Sequence, residues 1–118
     1  LTGFLLSIAF AFIPPKHSIV GHWASSNPDG SKMYVDFKSD GTFDTHYEGK
    51  LNHYGNYTFN DPLFSINDKE DEGCGNGYWG KYNLTFVGED SVLFAVVEDS
   101  CSGRRGQVNG GGLRREMK

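Results

Sequence analysis

The side chains best suited to bind a metal ion are Asp44, His46 and Glu48, which stand two residues apart. Residues two apart on a β-strand point to the same side, and carboxylates and imidazoles are common ligands of divalent metal ions. Three ligands along one straight strand span too great a distance to share an ion without help from other elements. We therefore favour an exposed polar strand face, and we predict no metal site and no cofactor.

The sequence holds no recognisable catalytic motif. The acidic stretch DKEDE at residues 68–72 lacks the alternating Asp/Asn spacing and closing Glu of a calcium-binding loop, so we interpret it as a solvated loop. Gly-x-Ser-x-Gly, phosphate-cradling and His-Glu-x-x-His motifs are absent. Acidic residues fall mostly on predicted outer strand faces or loops, which does not support paired-carboxylate catalysis. We predict that the protein is not an enzyme.

Cys74 and Cys101 are the two cysteines of the chain. They precede the sixth predicted strand and follow the seventh, and these strand ends are neighbours in an antiparallel meander. A disulfide between them would stabilise the fold by roughly 3–4 kcal/mol in the chain-entropy model. The alternative is two reduced thiols in a cytosolic protein. We favour the disulfide because disulfides persist in exported proteins and the N-terminal stretch resembles an export signal.

That N-terminal stretch reads FLLSIAFAFI at residues 4–13. It is shorter than the roughly 20 residues that a bilayer crossing needs, but it suits the apolar core of a secretory signal peptide. Ala9-Phe10-Ala11 fits a small-x-small cleavage pattern, and Pro14-Pro15 forms a stiff linker. We therefore interpret residues 1–18 as a signal-peptide remnant and proline linker, with a mature chain that begins near Phe12. The alternative is a buried strand or helix packed on the domain.

We predict that the remaining residues, 19–118, form one small domain, and the signal-like N-terminal stretch and the expected disulfide predict that it is secreted or periplasmic. A chain of 118 residues allows a single domain. The formal net charge of −4 does not suggest a nucleic-acid partner or an anionic membrane surface, and no stable membrane span is expected. The aromatic content of 14% and the sixteen glycines favour strands and turns over helices.

Short strands with tight turns dominate the predicted secondary structure. Met33, Val35 and Phe37 alternate with polar residues along a half-buried strand, and Asp40-Gly41 is a strong hairpin signal. Strands are predicted at residues 19–25, 31–38, 42–48, 54–60, 63–67, 78–87 and 91–99, with a further strand within 107–118 and a loop at 49–53. Seven or eight short strands and no convincing long helix predict an all-β fold, a small antiparallel up-and-down barrel.

Four short patterns carry a resemblance to a known group of barrels. They are Gly21-x-Trp23, Phe37-x-x-Asp40-Gly41-Thr42-Phe43, Gly55-x-Tyr57 and Asp99-x-Cys101-x-Gly103-Arg104. Over residues 19 to about 104, the chain resembles the small secreted lipocalin-like (calycin) β-barrel domains, without the long last helix of the larger lipocalins.

The resemblance implies structural roles at the start and the end of the domain. Gly21 would let the chain turn inward closely, and Trp23 would fill the closed end of the barrel. An arginine of the tail would lie across the Trp23 indole, where a cation–π contact gains about 0.5–2 kcal/mol. The candidates for this arginine are Arg104, Arg105, Arg114 and Arg115, and we prefer Arg104.

The predicted interior is rich in aromatic side chains. The inward set is Met33, Val35, Phe37, Phe43, Tyr47, Tyr57, Phe59, Phe64, Ile66, Tyr82, Leu84 and Phe86. Gly55 and Gly80 also point inward and remove side-chain volume, so we predict a modest pocket near them at the open end. Such a pocket would bind a small hydrophobic molecule, oriented by a few polar groups. The predicted ligand-binding residues are Met33, Phe43, Tyr47, Gly55, Tyr57, Phe64, Gly80 and Tyr82.

A protein-interaction barrel is the alternative function. The chain resembles periplasmic protease inhibitors in its size, its Gly-x-Trp start and its single expected disulfide. That resemblance implies a protein partner and an N-terminal segment that enters the protease cleft, for which residues 12–18 are the candidate. An interior filled by side chains would favour this alternative, whereas an open apolar interior would favour a ligand.

Overall fold

The protein is a closed antiparallel barrel of eight strands, in which neighbours in sequence pair and the last strand pairs with the first. The structure is a computed structural model that describes residues 17–26, 29–69, 74 and 77–117. The elements are β1 (Gly21–Ser26), β2 (Lys32–Phe37), β3 (Thr42–Tyr47), β4 (Lys50–Asn60), β5 (Leu63–Asp68), β6 (Gly80–Val87), β7 (Ser91–Glu98), α1 (Ser102–Val108) and β8 (Gly112–Arg115). The predicted all-β class and up-and-down barrel are confirmed, and the architecture is compatible with a calycin-like fold.

Alternating side chains from each strand build an aromatic core. The Phe37 ring meets Tyr57 at 5.0 Å and Phe64 at 5.4 Å between centroids, both edge to face, an arrangement that aromatic pairs prefer. Most of the predicted inward residues are buried in this core, while Met33, Phe59 and Phe86 pack against it from partly buried positions. Tyr47 is half-buried, and its hydroxyl donates to Ser31 Oγ at 3.2 Å.

The closed end of the barrel is plugged by Trp23, which is fully buried and donates its indole N–H to the Ile19 carbonyl at 2.8 Å. Arg115 lies over this indole, 4.2 Å from the ring centroid. The preference for Arg104 is therefore wrong: the pairing of β8 with β1 sets Arg115 directly opposite Trp23. Gly21 has a φ of +142°, and a Cβ there would lie 2.7 Å from the Arg115 guanidinium, so both backbone and space favour glycine.

The other end of the barrel carries α1 and the disulfide. Cys74, in the β5–β6 connection, is bonded to Cys101, just before α1, with Cα atoms 5.7 Å apart. The predicted disulfide is thus confirmed. It joins two connections at the same end of the barrel, which we call the open end.

One secondary-structure prediction is wrong. The predicted loop at residues 49–53 belongs mostly to β4, which starts at Lys50 and continues through an irregularity in its pairing with β3 next to His46. The further strand predicted within 107–118 is confirmed as the short β8, since α1 and a glycine turn occupy the first part of that range. In the described part of the chain, no helix combines the length and apolar composition needed to cross a bilayer. The predicted signal peptide and proline linker, through residue 16, lie outside the described residues.

Candidate functional site

An apolar cavity of about 270 Å³ lies inside the barrel and reaches the C-terminal end of α1. Its apolar wall comes from strands on opposite sides of the barrel: Met33, Val35 and Phe37 of β2, Phe43 of β3, Phe64 and Ile66 of β5, Phe94 of β7 and Leu113 of β8. Gln107, Val108, Gly111 and Gly112 complete it where α1 leads into β8. The cavity therefore combines the strand interior with the segment that follows β7.

Phenylalanine rings form the inner part of this wall. The Phe64 ring packs edge to face against Phe94 at 5.5 Å, and the Phe37 ring lies 6.2 Å from Phe43. All four phenylalanines are buried, so neighbouring rings hold one another in place. The result is a pre-formed apolar surface, as is usual in small-molecule sites.

A few polar side chains interrupt the apolar wall. Ser25, Thr45 and Gln107 border the cavity from β1, β3 and α1. Thr45 is buried and its hydroxyl oxygen accepts the His53 backbone N–H at 2.9 Å. Small-molecule sites use such scattered polar groups to orient a mostly apolar ligand.

The structure brings only part of the predicted ligand-binding set to this cavity. Met33, Phe43 and Phe64 line it. Tyr47 turns to Ser31, and the Tyr57 hydroxyl donates to the Lys38 carbonyl at 2.6 Å near the closed end. These two tyrosine hydroxyls are thus engaged by neighbouring groups of the protein.

The prediction of a cleft at Gly55 and Gly80 is wrong. A Cβ at Gly55 would overlap the Asn67 carbonyl of the paired strand. A Cβ at Gly80 would overlap the Asp99 carboxylate and approach Arg104 Nη2 to 3.1 Å. The volume freed by these glycines is filled by backbone and by an ion pair, so each glycine permits close packing instead of opening a pocket.

The group that fills the space at Gly80 is a buried ion pair between Asp99 and Arg104. Arg104 donates from Nε to Asp99 Oδ2 and from Nη2 to Asp99 Oδ1, both at 2.9 Å. The Tyr82 hydroxyl donates to the same carboxylate at 2.5 Å, and the Cys101 N–H donates to it at 3.0 Å. Arg104 also reaches the Tyr78 carbonyl at 2.7 Å. This network attaches α1 to β6 and β7 beside the disulfide.

Burial and hydrogen bonding oppose each other in setting the pKa values of this network. Burial by itself raises the pKa of Asp99, but the hydrogen bonds from Arg104 and Tyr82 outweigh it and leave that pKa below its usual value. Burial acts to lower the pKa of Arg104, and the bonds to Asp99 reverse this effect. Burial is the larger cause that raises the pKa of Tyr82, and the hydrogen bond to Asp99 adds to it. Asp99 and Arg104 are therefore charged at neutral pH, and Tyr82 is a neutral donor.

The sequence interpretation missed part of the cavity. Val35, Phe37 and Ile66 were expected to point inward but were not assigned to the site, and Phe94 lies on a strand that reads as apolar on both faces. Leu113 and the residues at the end of α1 were missed because this helix was not expected. Its only signal would have been the interruption of the strand pattern after Cys101.

Comparison of the chain with protein-family models, with curated proteins and with solved structures finds no match. The geometry of the cavity and of the residues that hold it is therefore the basis for assigning a function.

Proposed function

We propose that this protein is an extracytoplasmic, lipocalin-like barrel that binds a small hydrophobic molecule in the cavity beside α1. The observation that carries the proposal is an apolar cavity of about 270 Å³ bounded by buried phenylalanines within a closed barrel. Pockets for drug-sized ligands measure about 300–1,000 Å³. The cavity thus suits a ligand smaller than a typical drug.

Two features support an extracytoplasmic location of the protein and its lipocalin-like character. The Cys74–Cys101 disulfide fits an oxidising compartment, in agreement with the apolar N-terminal stretch. The arrangement of Gly21, Trp23 and Arg115 is the one that the resemblance to lipocalin-like barrels implies, with a different arginine from the one we preferred.

The expected affinity is modest. Burying about 250 Å² of apolar ligand surface gains roughly 6 kcal/mol, and the entropy lost on association offsets a large share of this gain. We therefore expect dissociation constants no tighter than roughly tens of micromolar for simple apolar compounds.

Naphthalene is a suitable probe because it is apolar, compact and fluorescent. We expect saturable binding to the folded protein, with chemical-shift changes in NMR spectra confined to residues around the cavity. Val108→Trp, at the half-buried end of α1, should fill the cavity and abolish binding. Val97→Trp, on the outer face of β7 where Val97 is 53% exposed, is the matched control and should bind as the wild type does.

Two results would contradict the proposal: no saturable binding by the wild type, or equal binding by the Val108→Trp and wild-type proteins. The protein-interaction alternative would then take its place. That alternative depends on residues 12–18, of which the structure describes only His17 and Ser18, and it stays a prediction.

A further inference from the structure

The outer wall of the barrel brings two carboxylates and an imidazole together. Asp36 of β2 and Asp44 of β3 are directly opposite each other in the sheet register, so their side chains share one face. His46 lies two residues further along β3 on that same face. One oxygen from each carboxylate and one nitrogen of His46 all lie within 4.8 Å of one another.

This set differs from the one in the sequence interpretation. Glu48 lies beyond the end of β3, in the β3–β4 turn with a φ of +53°, and it does not take part. The cross-strand neighbour Asp36 takes its place, which removes the objection that three ligands on one strand lie too far apart. The pairing of β2 with β3 therefore brings a third ligand close to the other two, which a single strand cannot do.

A neighbouring histidine orients one of the carboxylates. His22 Nδ1 lies 2.8 Å from Asp36 Oδ1, and its ring stacks on Tyr34 with centroids 5.1 Å apart. The side chains of Asp36 and Asp44 are only 17% and 19% exposed. Metal sites commonly have such hydrogen-bonded neighbours that fix the orientation of the ligands.

The charge at this face also favours a cation. Like charges directly opposite each other on paired strands are unfavourable. Lys38 offsets part of the repulsion, with Nζ 2.9 Å from Asp44 Oδ2, but its side chain is 55% exposed. The other oxygen of Asp44 faces His46 Nδ1 at 3.5 Å. Two carboxylates beside one ammonium leave a net negative charge.

We propose that Asp36, Asp44 and His46 form a binding site for a divalent transition-metal ion, with Zn²⁺ as the best-suited ion. Carboxylate oxygen and imidazole nitrogen bind Zn²⁺ at about 2.0–2.2 Å, and three protein ligands with an open fourth position are a common arrangement. The three ligand atoms lie within 4.8 Å of one another, so side-chain rotations would have to bring them to that distance from a shared ion. The ammonium of Lys38 competes with the ion for Asp44 and weakens binding.

The test is calorimetric titration of chelator-treated protein with ZnCl₂, together with NMR of the histidine side chains. We expect one ion per chain with a micromolar dissociation constant, and a change in the His46 ring signals. Asp44→Asn and His46→Gln should each weaken binding at least tenfold, whereas Lys38→Gln should strengthen it several-fold. The histidine control is His17→Gln, since His17 pairs with one carboxylate, Asp61, at 3.1 Å, and it should bind like the wild type.

Each variant is first shown to be folded by circular dichroism. Asp36→Asn serves as a second ligand variant, because it keeps the side-chain shape and removes a like charge. The proposal is overturned if the wild type shows no saturable zinc binding below about 1 mM. It is also overturned if folded Asp44→Asn and Asp36→Asn proteins bind with wild-type affinity. The site lies outside the cavity, so either outcome leaves naphthalene binding unaffected.

Discussion

The two ends of the barrel each hold an arginine, but they satisfy its charge in different ways. At the closed end, Arg115 covers the Trp23 indole and donates to the carbonyl oxygens of Val20 at 2.8 Å and Ser18 at 2.9 Å. At the open end, Arg104 is paired with Asp99, and their side chains are only 4% and 0% exposed.

This difference indicates at which end a single substitution should lower the stability of the fold more. Removing Arg115 leaves neutral carbonyl groups close to solvent, where water can replace the lost hydrogen bonds. Removing Asp99 or Arg104 leaves a buried charge without its main partner, which is far more costly. The end beside the cavity should therefore be the more sensitive one.

The largest effect is expected for Asp99→Ala. This substitution leaves the buried Arg104 guanidinium without its main anionic partner. The free energy of unfolding, measured by urea denaturation, should therefore fall by about 3–5 kcal/mol. The double variant Asp99→Leu/Arg104→Met removes both charges and should be less destabilised than Asp99→Ala. An Asp99→Ala protein as stable as the wild type would contradict the contrast between the two ends.

Loss of the disulfide should have a somewhat smaller effect, also at the open end. Replacing Cys74 and Cys101 by serine should lower the free energy of unfolding by roughly 3–4 kcal/mol, as expected for a loop of this length. Urea denaturation of this variant and of the oxidised wild type gives the difference. Two titratable thiols in protein isolated from an oxidising compartment would show that the bond does not form.

A smaller effect is expected at the closed end. Arg115→Met should lower the free energy of unfolding by about 1–2 kcal/mol, because a cation–π contact at a partly exposed site contributes about that much. Arg114→Met, at the exposed neighbouring position of β8, is the matched control and should be nearly neutral. If Arg115→Met lowers the free energy of unfolding as much as Asp99→Ala does, the two ends do not differ in their sensitivity to substitution.

The smallest effect concerns pH. The pKa of Asp99 is lower in the folded protein than in the unfolded chain, where it is about 3.9. Its contribution to stability is therefore fully present above about pH 4 and is lost as the pH falls through the folded-state pKa. The pKa of Tyr82 is raised, so its contribution is present below about pH 10 and is lost as the pH rises further.

Urea denaturation across pH measures both contributions. The variant Asp99→Leu/Arg104→Met should show a weaker loss of stability in acid than the wild type, whereas Arg115→Met should keep the wild-type response. Equal acid responses in the wild type and in the double variant would assign the pH dependence to other carboxyl groups.

Much of the fold could be predicted because its signals are local. Met33, Val35 and Phe37 alternate with polar residues, and the Asp40-Gly41 turn lies where β2 meets β3. Such patterns depend only on the period of two of a strand with one buried face. The disulfide was predictable for a related reason, since the order of strands in a meander determines which ends are neighbours.

The failures concern features that arise from pairing between distant residues. Four arginines of the tail are chemically equivalent, and only the register of β8 against β1 selects Arg115. The space at Gly80 is filled by Asp99 and Arg104, which no local pattern reveals. Helix α1 contains two glycines, which disfavour a helix, and the ion pair of Arg104 anchors it. The outer part of the cavity borders on this helix, so that part could not be predicted from the sequence.

The short strand β8 couples the strand pairing at the closed end to the cover of the Trp23 indole. Arg115, the residue that covers Trp23, also stands at the seam where β8 joins β1, at Trp23–Arg115 and Ala24–Arg114. Separating that seam therefore removes the cover of the indole in the same event and exposes the unpaired edges of β1 and β8. We expect amide hydrogens along both edges to exchange with solvent together, as one local unfolding unit. A variant that loosens Arg115 would expose template strands for association with a second copy of the chain.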